Sequence, residues 1–129
     1  MVARYQLDTD FFVHAIARAG PERARLRALT AEGADVRMSA IAWYEFARGE
    51  RTPAQIAVAL DVLAADGIVP FDAALASLAA DAFRRLGRPR KRGQDIAIGV
   101  AAVAAGATLL TRNVRDFRGI DGLVVEGAE

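Results

Sequence analysis

The sequence predicts an α/β fold: a parallel sheet of about four to five short strands flanked by helices, in three layers. Three observations lead there. Short apolar segments alternate along the whole chain with segments of helical periodicity, the pattern of successive βα units. The apolar segments show little in-and-out alternation, as strands covered on both faces require. The 129 residues, 53% hydrophobic and 26% charged, suffice for one core, so residues 1–129 are read as a single domain.

The elements follow in order. Arg4–Asp8 reads as a strand ending in a carboxylate, and Phe11–Arg18 as a short helix broken by Gly20-Pro21. Pro21, with Glu22 beside it, opens a second helix to about Glu32, which Gly33 closes. Val36–Met38 is a strand, and Ser39 caps a helix running to Arg48. Thr52-Pro53 starts a helix carrying Ile56, Leu60 and Leu63, ended by Gly67, and Ile68–Phe71 follows as a buried strand. Asp72 caps a helix with Leu75, Leu78, Ala79, Ala82, Phe83 and Leu86 on one face. Gly87–Gly93 is a basic loop, Gln94–Ala105 a helix closed by Gly106, and Thr108–Thr111 a strand. Val114–Phe117 is a turn of helix and Leu123–Val125 a last strand.

Composition excludes several chemistries. With no cysteine there is no disulfide, thiolate metal site or cysteine nucleophile, and a single histidine, His14, excludes any site needing two imidazoles. No apolar run is long enough to span a bilayer, and residues 1–7 lack the apolar core of a signal peptide, so a cytoplasmic protein is expected. The net charge of +1 is uninformative, but its distribution is uneven. Arg84, Arg85, Arg88, Arg90, Lys91 and Arg92 crowd one stretch, and Arg112, Arg115 and Arg118 form a second set. Such patches suit phosphate contact, with Arg90, Lys91, Arg92 and Arg112 as the candidate contacts to a nucleic-acid backbone, although on charge alone a solvated loop and helix end explains them slightly better.

In parallel α/β sheets the working groups lie at the carboxyl ends of the strands. Asp8 ends the first strand, and Glu45 lies in the helix after the second. Asp95 opens a later helix, and Asp116 lies just beyond the strand that ends at Thr111. Four acids distant in sequence therefore project to one rim. Clustered carboxylates repel one another unless a cation fills the cluster, and an all-oxygen donor set selects Mg²⁺ or Mn²⁺. Such ions polarise a phosphoryl oxygen and activate water, the core of metal-assisted phosphodiester cleavage. Asp8, Asp95 and Asp116 are the candidate ligands, with Ser39 and Thr111 placed to orient them. Each acid alone has a plainer reading, as a helix cap or a surface charge; their joint placement carries the argument.

These segments resemble a family. Tyr5-Gln6-Leu7-Asp8-Thr9-Asp10 resembles the opening strand of PIN-domain nucleases. Met38–Gly49 resembles their second motif, a serine followed by a helical glutamate; Asp95–Ala101 resembles the third and Ala107–Phe117 the fourth. Order and spacing span essentially the whole chain, in the style of the VapC toxins of bacterial toxin–antitoxin pairs. The resemblance implies a PIN-like fold and a Mg²⁺- or Mn²⁺-dependent endoribonuclease acting on structured RNA. It also implies a homodimer and a cognate antitoxin. By position Asp8, Glu45 and Asp95 match the family's first three acids. Many members carry an acid at the place of Asn113; here that place is an amide, and Asp116, three residues on, is the available carboxylate. Asp10 is a candidate supporting acid. If an antitoxin blocks the site, an arginine among these acids is the expected device, with a groove supplied by Ile41–Phe46 and Ile56–Leu63.

Two other readings compete. Asp8-Thr9-Asp10 after an apolar strand fits the nucleophile and acid of a haloacid-dehalogenase-type phosphatase, although Lys91 is poorly placed for the lysine that fold needs and Glu45 has no role. The amide at 113 also fits a catalytically inactive PIN-fold module that binds RNA or a protein partner.

Overall fold

The computed structural model describes residues 2–128. Five parallel strands form one sheet in the order β3-β2-β1-β4-β5, with β1 Arg4–Leu7, β2 Asp35–Ser39, β3 Ile68–Val69, β4 Thr108–Leu110 and β5 Val124–Glu126. Six helices accompany them: α1 Thr9–Ala17, α2 Pro21–Ala31, α3 Ala40–Ala47, α4 Pro53–Val62, α5 Ala73–Arg85 and α6 Gly93–Ala104. Helix α1 packs against α2, α3 and α4; α5 packs against α6, and α3 reaches both groups. The expected layered α/β architecture is therefore present. Among the described residues no helix is long and apolar enough to cross a membrane.

The helix starts are chemically specified. Asp8, Ser39, Thr52 and Asp72 each accept a backbone N–H with the side chain, at α1, α3, α4 and α5. Thr52 and Gln55 form a reciprocal capping box, with Pro53 at the first helical position. Helix α6 is the central one. Its residues Ile96–Ala102 are all buried, and Gly99 lets it approach the chain end closely: a Cβ there would lie 2.7 Å from Ile120 and 3.2 Å from Leu123.

Three local expectations fail. The stretch Ile68–Phe71 is no buried strand: only Ile68 and Val69 pair with β2, both half-buried, because Pro70 offers no N–H to continue the ladder. Leu78 is 50% exposed, so the apolar stripe of α5 is narrower than its periodicity implies, and Leu60 on α4 is also exposed. Strand β2 does alternate. Val36 and Met38 are buried, while Asp35 and Arg37 pair at 2.9 Å on the opposite, half-open face.

Candidate active site

Because every strand runs the same way, the carboxyl ends of β1, β2 and β4 share one rim. Leu7 and Leu110 are register partners, so the next residues, Asp8 and Thr111, meet side by side. The Asp8 amide donates to the Leu110 carbonyl at 2.9 Å, and the Thr111 hydroxyl donates to Asp8 Oδ2 at 2.8 Å. The other carboxylate oxygen, Oδ1, accepts the Thr9 N–H at 2.9 Å as the cap of α1. Thr111 in turn accepts the Asn113 N–H at 3.0 Å. Asp8 is buried, and that burial raises its pKa; the Thr111 and Thr9 hydrogen bonds pull it back down, while Glu45 and Asp10 push it up.

Asp95, in the first turn of α6, has its carboxyl raised to about 6. Desolvation is the largest cause; repulsion from Asp8, Asp116 and Glu45 follows, and Arg92 opposes them. Asp95 thus lies within the field of the other three acids expected from the sequence. Arg92 is only half free to compensate them, since its guanidinium donates to the carbonyls of Asp116 and Arg118. Carboxylate oxygens in mutual repulsion fit a hard divalent cation. They do not close into a finished cage: among the described residues no three acids converge as ready ligands. Mg²⁺ commonly needs only one or two protein carboxylates, keeping water for the rest.

Asp116 lies in a 3-10 turn, Val114–Phe117, exposed and, among the described residues, without an ion pair. Neither Arg112 nor Arg115 pairs with it among the described residues. Asn113 touches the site through its backbone bond to Thr111. The candidate RNA contacts divide. Arg90 and Lys91 are exposed on a 3-10 turn, Arg90–Arg92, that leads into α6. Arg92 is tethered as described. Arg112 pairs with Asp10 at 3.1 Å and Glu22 at 3.7 Å, which joins the β4 rim to α1 and α2. Asp10 also faces His14 at 3.3 Å.

Ser39, expected to orient a site carboxylate, makes its side-chain hydrogen bond to the helix it precedes. Its hydroxyl, fully inside the fold, accepts the Ala42 N–H at 3.1 Å and caps α3. The hydroxyl that meets a site carboxylate on this side is Thr9, which donates to Glu45 Oε1 at 3.1 Å and lies 3.3 Å from the Ala42 carbonyl. Sequence reading passes over Thr9 because it looks like one more small polar residue at a helix start. Its position between two candidate acids is the only signal. Phe46 and Phe12 pack in the core as a tilted pair with ring centroids 4.7 Å apart, and Trp43 lies 5.5 Å from Phe46, so these aromatics are packing groups.

A search by structure finds the same fold in a chain of VapBC2 from Rickettsia felis, solved bound to a promoter DNA fragment. It has a TM-score of 0.75 and 24% identity, over 98% of both chains. A chain of FitAcB from Neisseria gonorrhoeae has a TM-score of 0.70 and 23% identity, over 96% of this chain and 97% of that one. DNA-bound VapBC from Salmonella typhimurium gives 0.73 and 20%, over 99% and 100%. At these identities the likeness is one of fold. No curated protein matches the chain in sequence. The PIN domain family matches residues 5–123 in sequence. With that match over most of its length and the acid rim of its sheet, the chain belongs to the PIN domain family.

Proposed function

We propose that this protein is a metal-dependent endoribonuclease and the toxin of a toxin–antitoxin pair. One observation carries the nuclease reading. Asp95 is raised to about 6 by burial and by the charges of Asp8, Asp116 and Glu45, which come from separate parts of the fold. Such a cluster costs stability and repays it only when a cation enters.

In this reading Asp8 and Asp95 hold the ion, with Asp116 adding charge from the rim, and the ion supplies electrostatic stabilisation of the phosphoryl group. Thr111 and the Thr9 N–H keep Asp8 aimed. Glu45 is assigned the proton of the attacking water. Water adds to phosphorus, the P–O bond to the leaving sugar oxygen breaks, and the proton passes to that oxygen. Arg90 and Lys91 are free to meet the RNA backbone, together with exposed Arg88. Arg112 is committed to its ion pairs and Arg92 to backbone carbonyls, so their contribution is to hold the rim together. The test is incubation with total RNA and Mg²⁺ or Mn²⁺: cleavage should stop with a chelator and in Asp95→Asn. A well-folded protein that never cuts would leave the inactive binding module as the better reading.

The antitoxin and the homodimer rest on the resemblance to VapC toxins. A further chain of the same fold, from Klebsiella pneumoniae, is by its printed description part of a toxin–antitoxin complex. The two helices expected to shape a partner groove line separate hollows. Ile41 and Tyr44 border one with Phe71 and Ala97, and Val58 and Val62 border another with Ile16 and Leu26. The phosphatase reading loses its acid, since Asp10 is engaged with Arg112 and His14, and it loses its fold to the PIN domain.

A further inference from the structure

Among the described residues Thr9 is the one that touches two candidate acids from the first and second motifs. Its N–H is 2.9 Å from Asp8 Oδ1 and its hydroxyl 3.1 Å from Glu45 Oε1. We infer that Thr9 is a positioning residue, whose hydroxyl restrains the Glu45 carboxylate beside Asp8 for the cleavage proposed above. The inference rests on that nuclease reading and extends it.

At Glu45 restraint works against repulsion. Glu45 reaches the rim on a long side chain with three rotatable bonds. Asp8 and Asp95 are each raised in part by its charge, so it lies in a field that drives it outward. Among the described residues the Thr9 hydroxyl is the only hydrogen-bond partner of its carboxylate. The nearby Ala42 carbonyl, at 3.3 Å, is the longer of the two acceptors offered to that hydroxyl. Thr9 itself cannot drift. It is the first residue of α1, fixed through its backbone to the Asp8 cap. A hydrogen bond to a charged acceptor inside a half-buried rim is among the stronger ones. One residue therefore sets the spacing of two acids, its hydroxyl reaching Glu45 across 36 positions of sequence.

Thr9→Val keeps the shape and deletes the donor, whereas Thr9→Ser keeps the donor. Mn²⁺ binding, followed by electron paramagnetic resonance of the free ion, and single-turnover RNA cleavage are measured for each. Thr9→Val should slow cleavage about tenfold at unchanged RNA affinity and weaken Mn²⁺ binding severalfold, and Thr9→Ser should recover most of both. In a Glu45→Gln background, which has no charge to restrain, Thr9→Val should change Mn²⁺ affinity by less than about twofold. Should Thr9→Val lose the fold, Thr9→Ala, well suited to a first helical turn, takes its place. Unchanged cleavage and binding in Thr9→Val overturn the inference. So does equal damage in the Val and Ser variants, or a full effect persisting without Glu45, since each marks a merely structural role. A wild-type protein that neither binds Mn²⁺ nor cuts RNA removes the nuclease reading first and this inference with it.

Discussion

The Thr111 hydroxyl donates a 2.8 Å hydrogen bond to Asp8 Oδ2, between residues 103 positions apart in sequence. The contact exists because β1 and β4 are neighbours in register, and it supplies a buried carboxylate with one of its two hydrogen bonds. Thr111→Val should therefore destabilise the metal-free protein by about 1–3 kcal/mol, the cost of a charged group left short of a donor. It should also raise the Asp8 pKa further. Urea denaturation at pH 7 and at pH 4 separates the two effects: the deficit shrinks at the lower pH, where Asp8 takes up a proton. An equal deficit at both would assign the loss to packing.

Asp8→Asn and Asp95→Asn should each abolish divalent-dependent cleavage while the protein stays folded. The Asp8 change is tolerable because a hydroxyl both gives and accepts, so Thr111 can accept from the new amide while the remaining oxygen still caps α1. The double variant should be little worse than either single one, since both serve one ion. Single-turnover kinetics together with circular dichroism decide this; near-wild-type cleavage in either variant would remove that acid from the site.

The pH dependence follows from Asp95. Its folded pKa of about 6 lies above the ordinary 3.8, so between these values the folded chain binds the proton more tightly than the unfolded one. Without metal, this group's contribution to stability falls as pH rises through that window. Asp95→Asn should then raise the metal-free stability at pH 7 by on the order of 1 kcal/mol after solvent screening, raise the melting point with it, and flatten the pH slope. Metal affinity moves the opposite way and should drop as pH falls below about 6. Melting curves from pH 4 to 8, with and without Mn²⁺, test both signs.

Asp116 stands exposed at the rim with no ion pair among the described residues, yet it helps raise Asp95. Asp116→Asn should weaken Mn²⁺ binding and cleavage, and adding Asn113→Asp should restore part of both. If Asp116→Asn alters neither titration nor rate, the site works with three carboxylates.

Gly99→Ala should cost about 1–3 kcal/mol, because the added methyl meets Ile120 and Leu123 within a packed helix interface. These residues follow the turn that carries Asp116. The substitution should also reduce Mn²⁺ affinity more than a surface Gly→Ala change of equal stability cost, as read by calorimetric titration.

The sequence by itself determined the order of elements, most helix caps and the rim to which the acids belong. These are local or topological matters. Asp8, Ser39 and Asp72 cap helices through bonds that span at most three residues, and a parallel sheet puts every strand's carboxyl end on one edge. Helical and strand periodicity register local burial in the same way. Only the tertiary structure decided which hydroxyl serves which acid. Thr9 rather than Ser39 meets Glu45, Thr111 meets Asp8, and Arg112 is drawn into ion pairs with Asp10 and Glu22. Those pairings depend on strand register and on how closely α1, α3 and α6 approach. Contacts of a few ångströms between side chains 36 to 103 residues apart leave no periodic trace in the chain. The raised pKa of Asp95 belongs to the same class, since burial and three distant charges produce it and none of them is its neighbour in sequence.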